Sequence, residues 1–432
     1  MNYAEALQWL DGRVNLEAVR SPSRLAPPTL ARMRELLGLL GDPQVGVPVI
    51  HLTGTNGKTS TARILTRLLE VAGLTVGTYT SPHLESITER ISRNGESIPD
   101  DEFADAVTHV AAVSELMADP PTYFEVLTAV AYRWFADVAV HAAVVEVGLL
   151  GRWDATNVAD GQVAVLTNVG ADHLDYAGSV ENIAREKVGI VKPGSIFVLG
   201  ETSDDLAAIL ADNPADEVWR RNDDFAVVEN ELAVGGRLLT LRTPTSMYDE
   251  LFLRLHGAYQ GDNAMIALAA CEAFLGGPLD QELILEAFDT VRSPGRLEVM
   301  RRQPLCLLDG AHNEAGASVL AATIEDEFGE QKHWNLVIGV LTPHDPSAFL
   351  AALDLPDVVR VIACEASSPR AVPAAEVAAA AEARGLAAEV GGGVADAVAR
   401  ALAGCDSEDG VLVTGSLHVV GEARAALRRG VG

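Results

Sequence analysis

The 432-residue sequence has few lysines and a shortage of basic residues overall. Lysine occurs only at Lys58, Lys187, Lys192 and Lys332, and 61 acidic residues against 32 basic ones give a formal charge of −29. Because such an acidic surface repels polyanions, the composition argues against a nucleic-acid-binding protein and against binding to an anionic membrane. A motif that contains a lysine therefore uses a rare residue type.

Long apolar runs and closely spaced cysteines are also absent. No uninterrupted apolar run approaches the ~20 residues that a membrane-spanning helix needs, and Met1–Leu10 has neither the basic nor the apolar segment of a signal peptide. The four cysteines are far apart in sequence, which favours reduced core thiols over a disulfide framework or a CxxC site. These features predict a cytoplasmic protein.

Short apolar segments alternate with helical patterns along the chain. Residues 142–147 and 163–167 are nearly continuous apolar runs, which is typical of parallel strands buried on both faces. Residues 225–255 read as shorter strands with a turn at Gly235–Gly236, and residues 293–295 interrupt regular structure before the alternation starts again. The sequence predicts an α/β protein with two domains, residues 1–292 and residues 293–432.

A glycine-rich segment lies between the predicted strand 48–53 and the predicted helix 58–72. Its backbone N–H groups, the helix N-terminus and one lysine suit the binding of a nucleotide phosphate, and a hydroxyl that follows the lysine suits Mg²⁺. Leu52 stands where the common GxxxxGK spacing has glycine, so this is the shorter GxxGK[ST] form. Turn and cap preferences alone are the alternative explanation. The segment is Gly54, Thr55, Asn56, Gly57, Lys58, Thr59 and Ser60.

Two further residues follow apolar strands. Glu146 closes the run 142–147 and His173 follows the run 163–167, so the two side chains could converge on one cation at the carboxyl edge of the sheet. Mg²⁺ prefers oxygen ligands, which makes the imidazole the less expected partner. A solvent-facing carboxylate is the alternative for Glu146, and the residues leave the role of His173 open.

Lys187 lies on the apolar face of the predicted helix 179–191. It is seven residues after Val180 and four after Ile183, which places the three side chains on one face. Either the lysine extends to solvent at the edge of this face, or its amine is desolvated, with a lowered pKa, and reacts covalently or pairs with a phosphate. The pattern does not distinguish these two readings.

Together these segments resemble the Mur ligase superfamily and, within it, the dihydrofolate/folylpolyglutamate synthases, from about residue 20 to residue 427. The matching segments are GTNGKTS (54–60), TSPHL (80–84), ERISRNGE (89–96), TYFEVLT (122–128), EVGLLGRWDATN (146–157), DHLDYAGS (172–179), REKVGIVK (185–192), SPGRLE (293–298), DGAHN (309–313) and GSLHVVGE (415–422). The resemblance implies a P-loop-containing ATPase domain with a central parallel sheet, followed by a smaller Rossmann-like α/β domain.

The resemblance also implies roles for individual residues. Ser81, Glu146 and His173 match magnesium positions, beside the Thr59 hydroxyl that the loop motif places for Mg²⁺, and Lys187 matches a lysine whose carbamylated form supports a second metal ion. ATP binding is implied for the loop 54–60 together with Asn263, Arg296, Asp309 and His312. The folate side of the site is implied for Ser81, Pro82, His83, Thr122, Phe124, Glu125, Trp153, Asp154 and Ala155. Three departures stand out: Leu150 replaces a glycine, Glu314 a proline and His344 a lysine.

The implied reaction is ATP-dependent addition of L-glutamate to dihydropteroate or to reduced folates through an acyl phosphate. Lys58, Glu146, His173, Lys187 and Arg296 are the implied catalytic residues, with Mg²⁺ as one or two ions and a monovalent cation as a further candidate cofactor. The implied partners are these small molecules alone, and the implied assembly is a monomer. Two alternatives stay open: a Mur-like ligase for a non-folate acid, and a non-catalytic nucleotide-binding paralogue.

Overall fold

Strands and helices alternate from residue 49 onward in this computed structural model, which describes residues 1–15, 17, 29–172 and 174–430. Eight strands form the first sheet in the order β4-β3-β2-β5-β1-β6-β7-β8. They are β1 (Val49–Thr53), β2 (Val76–Tyr79), β3 (Ile91–Arg93), β4 (Glu96–Ser97), β5 (Ala142–Glu146), β6 (Gly161–Leu166), β7 (Ile196–Leu199) and β8 (Glu217–Arg220).

The first sheet is parallel over six strands and antiparallel at β3 and β4, on one edge. The predicted strands 48–53, 142–147 and 163–167 correspond to β1, β5 and β6, and all but Gln162 of the residues in these strands are buried. Burial on both faces explains their continuous apolar character. The sheet was predicted to be parallel; because β3 and β4 are antiparallel, it is a mixed sheet.

Helices cover both faces of this sheet. Successive side chains of a strand point to opposite faces, so neighbouring residues of β1 pack against different helices. Ile50 and Leu52 pack in one apolar cluster with the helices Lys58–Val71 and Tyr259–Leu275, whereas Val49 packs in another with the helices Asp100–Ser114 and Tyr123–Asp137. The helices are α1 (Tyr3–Asp11), α2 (Ala31–Leu39), α3 (Lys58–Val71), α4 (Asp100–Ser114), α5 (Tyr123–Asp137), α6 (Leu174–Ala177), α7 (Val180–Val188), α8 (Ala207–Ala211), α9 (Tyr259–Leu275) and α10 (Gln281–Thr290).

A small antiparallel sheet lies between α8 and α9 in sequence. It consists of β9 (Ala226–Ala233), β10 (Gly236–Arg242) and β11 (Met247–Leu253). The connection between β9 and β10 is Val234–Gly235, and Gly235 has φ +84°, as the tight turn predicted beside it requires. Short 3-10 helices occur at Pro43–Gly46, Ile87–Arg90, Ala155–Val158 and Asp204–Leu206.

A second sheet of six strands is formed by residues after the linker 293–295. Its order is β12-β13-β17-β14-β15-β16, parallel except for β12, and apolar clusters lie on both of its faces. Its elements are β12 (Glu298–Arg302), β13 (Leu305–Leu308), α11 (Glu314–Phe328), β14 (Trp334–Ile338), α12 (Pro346–Ala352), β15 (Val358–Glu365), α13 (Ala374–Ala383), β16 (Ala388–Gly393), α14 (Val394–Ala403), β17 (Gly410–Thr414) and α15 (Leu417–Arg428). In sequence, the strands of the first sheet all come before residue 293 and those of the second sheet all come after it. The domain limits 1–292 and 293–432 stay a prediction.

None of the helices in the described part of the chain combines the length and apolar character that a membrane span requires. The four cysteines are free thiols, and three of them are buried.

Candidate active site

The glycine-rich loop connects the end of β1 to the start of α3. Gly54 and Gly57 have φ +155° and +82°, in the region that favours glycine. Close neighbours reinforce this requirement, since a Cβ at Gly54 would overlap the Thr167 hydroxyl and a Cβ at Gly57 would overlap the Asn263 amide oxygen. The structure thus brings Asn263, which the sequence placed in the ATP site, against the loop.

The end of β6 holds this loop from the other side. The backbone N–H of Thr55 donates to the Asn168 carbonyl at 3.0 Å, and that of Asn56 donates to Asn168 Oδ1 at 2.9 Å. The Thr167 hydroxyl donates to the Asn56 carbonyl at 2.7 Å. Two loop amides are therefore already bonded, which leaves the first turn of α3 to donate to a phosphate. Sequence reasoning missed Thr167 and Asn168, although polar residues directly after a buried strand were a usable signal.

Lys58 folds back over its own loop. Its Nζ donates to the carbonyl oxygens of Gly54 and Thr55 at 2.8 and 3.1 Å. Burial lowers the pKa of Lys58, and the Glu146 carboxylate opposes that shift. At the same end of α3, Ser60 Oγ lies 3.3 Å from Ser293 Oγ, which links the helix to the linker between the two sheets.

Glu146 ends β5, the strand next to β1, and only 1% of it is exposed. The Thr59 hydroxyl donates to it from 3.0 Å to each carboxylate oxygen, and the Ser81 N–H lies 3.4 Å from Oε2. Burial raises the pKa of Glu146, and Lys58 opposes the shift. A carboxylate and a hydroxyl that meet at one point fit a hard divalent cation such as Mg²⁺.

Lys187 is 4% exposed and lines a pocket with Lys58, Gly148, Leu150 and Asp172. Burial lowers its pKa well below the usual value, and the charge of Lys58 acts in the same direction. Its amine therefore lies inside the protein, at the pocket, rather than at the solvent edge of α7. His173 lies outside the described residues; among those that are described, no three His, Cys, Asp or Glu side chains form a cluster that could hold a metal ion.

The start of the second sheet lies close to this group, because Arg296 interacts electrostatically with Lys58 and with Glu146. The Asp309 carboxylate is buried and accepts the N–H groups of Leu297 and Ala311, both at 2.8 Å, so it fixes the backbone next to Arg296. Arg296 passes over Gly310, with Nη1 3.3 Å from the position of a Cβ there. Burial raises the pKa of Asp309, and Arg296 opposes the shift.

His312 lies beside this group. Its Nδ1 donates to the Gly310 carbonyl at 3.0 Å, and its ring centroid is 5.4 Å from that of His344. Burial lowers the pKa of His312 to about 4, so the ring is neutral at pH 7. His344, one of the three departures, thus lies next to a predicted ATP-site residue. Glu314, another departure, is the first residue of α11.

The residues predicted for the folate side have structural partners of their own. Thr122 caps α5 and forms a capping box with Glu125, whose carboxylate also accepts Arg32 Nε at 2.7 Å. Asp154 is buried and accepts the N–H groups of Leu149 and Thr156 at 2.9 and 3.0 Å. The remaining members differ in exposure: Phe124 contacts Gly148, Trp153 is 45% exposed and Ala155 is buried. Binding of a ligand by this set stays a prediction.

The segment 81–83 begins with a cis peptide bond between Ser81 and Pro82. Arg90 Nε donates to His83 Nδ1 at 2.9 Å, and the Arg90 guanidinium forms two hydrogen bonds with Glu17, at 2.9 and 2.7 Å. Burial lowers the pKa of His83 to about 4. Arg90 and Glu17 were missed as a pair because 73 residues separate them.

Two family models match the chain: the Mur ligase middle domain over residues 52–271, and the Mur ligase glutamate ligase domain over residues 295–417. The chain is 39% identical over 378 residues to the dihydrofolate synthase/folylpolyglutamate synthase of Mycobacterium tuberculosis, a match that covers 82% of this chain and 77% of that protein.

Solved structures agree with this match. The Mycobacterium tuberculosis folylpolyglutamate synthase complexed with ADP and AMPPCP has a TM-score of 0.89 at 37% identity, over 100% of this chain and 99% of that one. Escherichia coli FolC in complex with DHPP and ADP has a TM-score of 0.87 at 28% identity, over 99% and 98%. The chain therefore belongs to the dihydrofolate synthase/folylpolyglutamate synthase family of Mur ligases.

Proposed function

We propose that this protein is an ATP-dependent carboxylate–amine ligase that adds L-glutamate to dihydropteroate, to reduced folates or to both. One observation carries the proposal: a loop built for phosphate, a buried carboxylate beside a hydroxyl, and Arg296 from the linker before the second sheet lie close enough to interact electrostatically. The relatives named above support ATP as the nucleotide and a folate-type acceptor.

The charges around the cleft suit formation of an acyl phosphate. A carboxylate is a poor electrophile, so ATP first phosphorylates it, and the glutamate amine then displaces phosphate to form the amide. Lys58 and Arg296 both act electrostatically on Glu146 and would supply positive charge to the transferring phosphoryl group, where catalysis is mostly positioning and electrostatics. His312 is neutral at pH 7 and donates its one N–H, on Nδ1, to the Gly310 carbonyl, so its Nε2 is an acceptor that suits a hydroxyl group rather than an anion.

Thr59, Ser81 and Glu146 are the oxygen donors that would hold Mg²⁺, with His173 as a further proposed ligand. The cation would screen the phosphate charges. Lys187 is the proposed site of carbamylation, because a buried amine with a lowered pKa is the neutral form that reacts with CO₂. Its carbamate would supply an anion for a second divalent or a monovalent cation. The proposal also includes a monomer that acts in the cytoplasm on small molecules alone.

On the acceptor side, the proposed contacts are the segments 81–83, 122–125 and 153–155. A non-folate acid is the second candidate acceptor, because Leu150 changes the lining of the pocket. This residue lines the pocket with φ +58°, and its carbonyl accepts the Thr53 hydroxyl at 2.6 Å, where the family usually has glycine.

Product analysis tests the proposal. The purified chain is incubated with ATP, Mg²⁺, L-glutamate and either dihydropteroate or tetrahydrofolate, and products are identified by mass spectrometry. Addition of one or more glutamyl residues with equimolar release of ADP is expected. Release of ADP with unrelated carboxylic acids, and with neither pterin, would instead identify a non-folate ligase; no ADP release with any acid would identify a non-catalytic paralogue.

A further inference from the structure

Arg424 forms hydrogen bonds to Glu85, in a loop of the first part of the chain, and to Glu298, in the first strand of the second sheet. It lies on α15, and its side chain is 10% exposed. Its Nη1 donates to the Glu85 carboxylate, while its Nε donates to Glu298 Oε1 and Oε2 at 3.0 and 2.9 Å. One guanidinium therefore bridges a loop of the first part and the start of β12.

The Glu85 loop leads directly to the candidate metal site. We call residues 81–89 the metal-side loop, because its first N–H, from Ser81, lies 3.4 Å from the Glu146 carboxylate. At its other end the Glu89 carboxylate accepts the backbone N–H groups of residues 84–86 at 2.9–3.3 Å. These bonds hold residues 84–89 together, and only residues 82 and 83 separate them from Ser81, so we expect a displacement at Glu85 to reach Ser81.

Glu298 leads to the other side of the cleft. Its Oε2 accepts the Gly295 N–H at 2.9 Å, one residue before Arg296. The Gly295 carbonyl in turn accepts the Gly310 N–H at 2.9 Å, which fixes the linker against the end of β13. Arg424 is thus one bond from the metal-side loop and two bonds from the backbone that carries Arg296.

Close packing supports the same junction. A Cβ at Gly421 would overlap the Leu84 carbonyl, and a Cβ at Gly295 would lie 3.1 Å from Leu84 Cδ1. The metal-side loop therefore contacts both α15 and the linker without an intervening side chain. Because closely packed contacts compress little, a movement of α15 is passed on to the metal-side loop.

We propose that Arg424 is a positioning residue for glutamate ligation. By holding Glu85 and Glu298 together, it sets the distance between the metal-side loop and Arg296, so that charges on both sides of the cleft act on the same phosphoryl group. This inference rests on the proposed function. It predicts an effect on turnover rather than on ADP binding, since the hydrogen bonds of Arg424 go to Glu85 and Glu298 and not to the phosphate loop, and ADP lacks the phosphoryl group on which Arg296 would act.

The first test compares Arg424→Ala with Arg428→Ala. Arg428 lies one turn further on α15, with Nη1 3.5 Å from Glu85 and 57% of its side chain exposed, which makes it a matched control. Arg424→Ala should lower kcat by roughly 10- to 100-fold, the scale of a misplacement of about 1 Å, with the Kd for ADP within about twofold of wild type. Arg424→Lys should give an intermediate kcat, because one ammonium cannot hold both carboxylates. Unchanged kcat, or a parallel loss of ADP affinity, would overturn the proposal.

The second test does not depend on activity. Hydrogen exchange of the amides of residues 84–86 should be roughly tenfold faster in Arg424→Ala than in Arg428→Ala, because loss of about 1.4 kcal/mol changes a local opening equilibrium tenfold. Should Arg424→Ala fail to fold, Glu85→Gln provides the same comparison. Unchanged exchange overturns the role of Arg424 whatever the reaction. A protected loop in a wild-type chain that ligates no glutamate to folates overturns the proposed function instead.

Discussion

The Thr59 hydroxyl donates to the Glu146 carboxylate and lies 3.0 Å from each of its oxygens. The two residues come from neighbouring parts of the first sheet, since α3 begins directly after the loop that follows β1 and Glu146 ends β5. A buried carboxylate needs positive charge nearby to stay ionised, because burial raises its pKa. Lys58 provides part of that charge, and a bound cation would provide more.

Replacement of either charge should therefore disable the site. Lys58→Ala and Glu146→Gln are each expected to lower ATP-dependent glutamate ligation by about 10²-fold or more, the scale of losing one preorganised charge contact. A coupled assay of ADP release measures the effect. Glu286→Gln is the control, because its carboxylate is more than half exposed and pairs with Arg67 on α3. Near-normal turnover in either site variant contradicts the assignment.

Lys187→Met should stabilise the fold while abolishing activity. Between the lowered pKa of Lys187 and the usual value near 10.5, the unfolded chain binds one proton more than the folded chain, so wild-type stability rises with pH across this window. In CO₂-free buffer at pH 7, Met should therefore raise the free energy of unfolding by about 1–3 kcal/mol, the usual desolvation penalty of a buried polar group.

Urea unfolding at pH 7 and pH 10 measures this effect, and the gain should shrink at the higher pH. Lys332→Met is the control, because Lys332 is exposed and pairs with Glu408 at the surface. A loss of stability in Lys187→Met at pH 7 would show that the amine is charged and paired in the folded state.

Leu150→Gly should also stabilise the protein. A leucine in the left-handed region costs about 1–2 kcal/mol, whereas glycine costs only about 0.5–1 kcal/mol in chain entropy, so a net gain of about 0.5–1 kcal/mol is expected. Leu149→Gly, one residue earlier and without a positive φ, should lose stability instead. Thermal unfolding of the two variants decides the point, and equal losses in both would mean that the Leu150 side chain contributes more than its backbone costs.

Asn168→Ala should weaken nucleotide binding although Asn168 lies outside the loop. Its side chain accepts the Asn56 N–H, and its amide donates to the Asn56 carbonyl at 3.2 Å. Loss of these bonds costs about 1–1.5 kcal/mol, which corresponds to roughly a tenfold higher Kd for ADP. Calorimetry measures the Kd, with Gln281→Ala on α10 as the control. An unchanged Kd would show that the loop keeps its shape without Asn168.

The formal charge of −29 predicts that salt stabilises the folded chain. Self-repulsion opposes the compact state, and salt screens it, with a Debye length that falls from about 10 Å at 0.1 M to about 3 Å at 1 M. The Tm should rise by several degrees over that range, and NaCl and KCl should act alike at equal ionic strength. A Tm that falls or stays constant would mean that attractive ion pairs outweigh the repulsion.

Local sequence patterns predicted the strands and helices closely. The predicted strand 48–53 is Val49–Thr53, and the predicted helix 58–72 is Lys58–Val71. Both were predictable because the apolar residues of each follow a clear pattern, and because Gly54 follows the strand and Gly57 precedes the helix. The capping box of Thr122 and Glu125 was equally readable, as threonine followed three residues later by glutamate. The sequence interpretation assigned both residues to ligand binding and did not anticipate this structural role.

Long-range pairs could not be predicted in this way. Asn168 bonds to a residue 112 positions away, and Arg424 to one 339 positions away. Neither pairing leaves a periodic trace, because each depends on which strands become neighbours and on how the two sheets meet. Lys187 is intermediate: its position on the apolar face was visible, but only the packing of α7 showed that its amine lies inside.

The carbonyl oxygens of Gly54 and Thr55, which accept from the Lys58 ammonium, also act as competitors for it. The ammonium has three N–H donors and two are already engaged, so a nucleotide that takes more than one bond from Lys58 must exchange a neutral partner for its own oxygen. Its affinity then reflects a difference between two sets of bonds. A terminal phosphate with two negative charges gains from that exchange, whereas a nucleoside gains nothing. The loop thereby discriminates between ligands by their phosphate charge before any base or sugar is recognised.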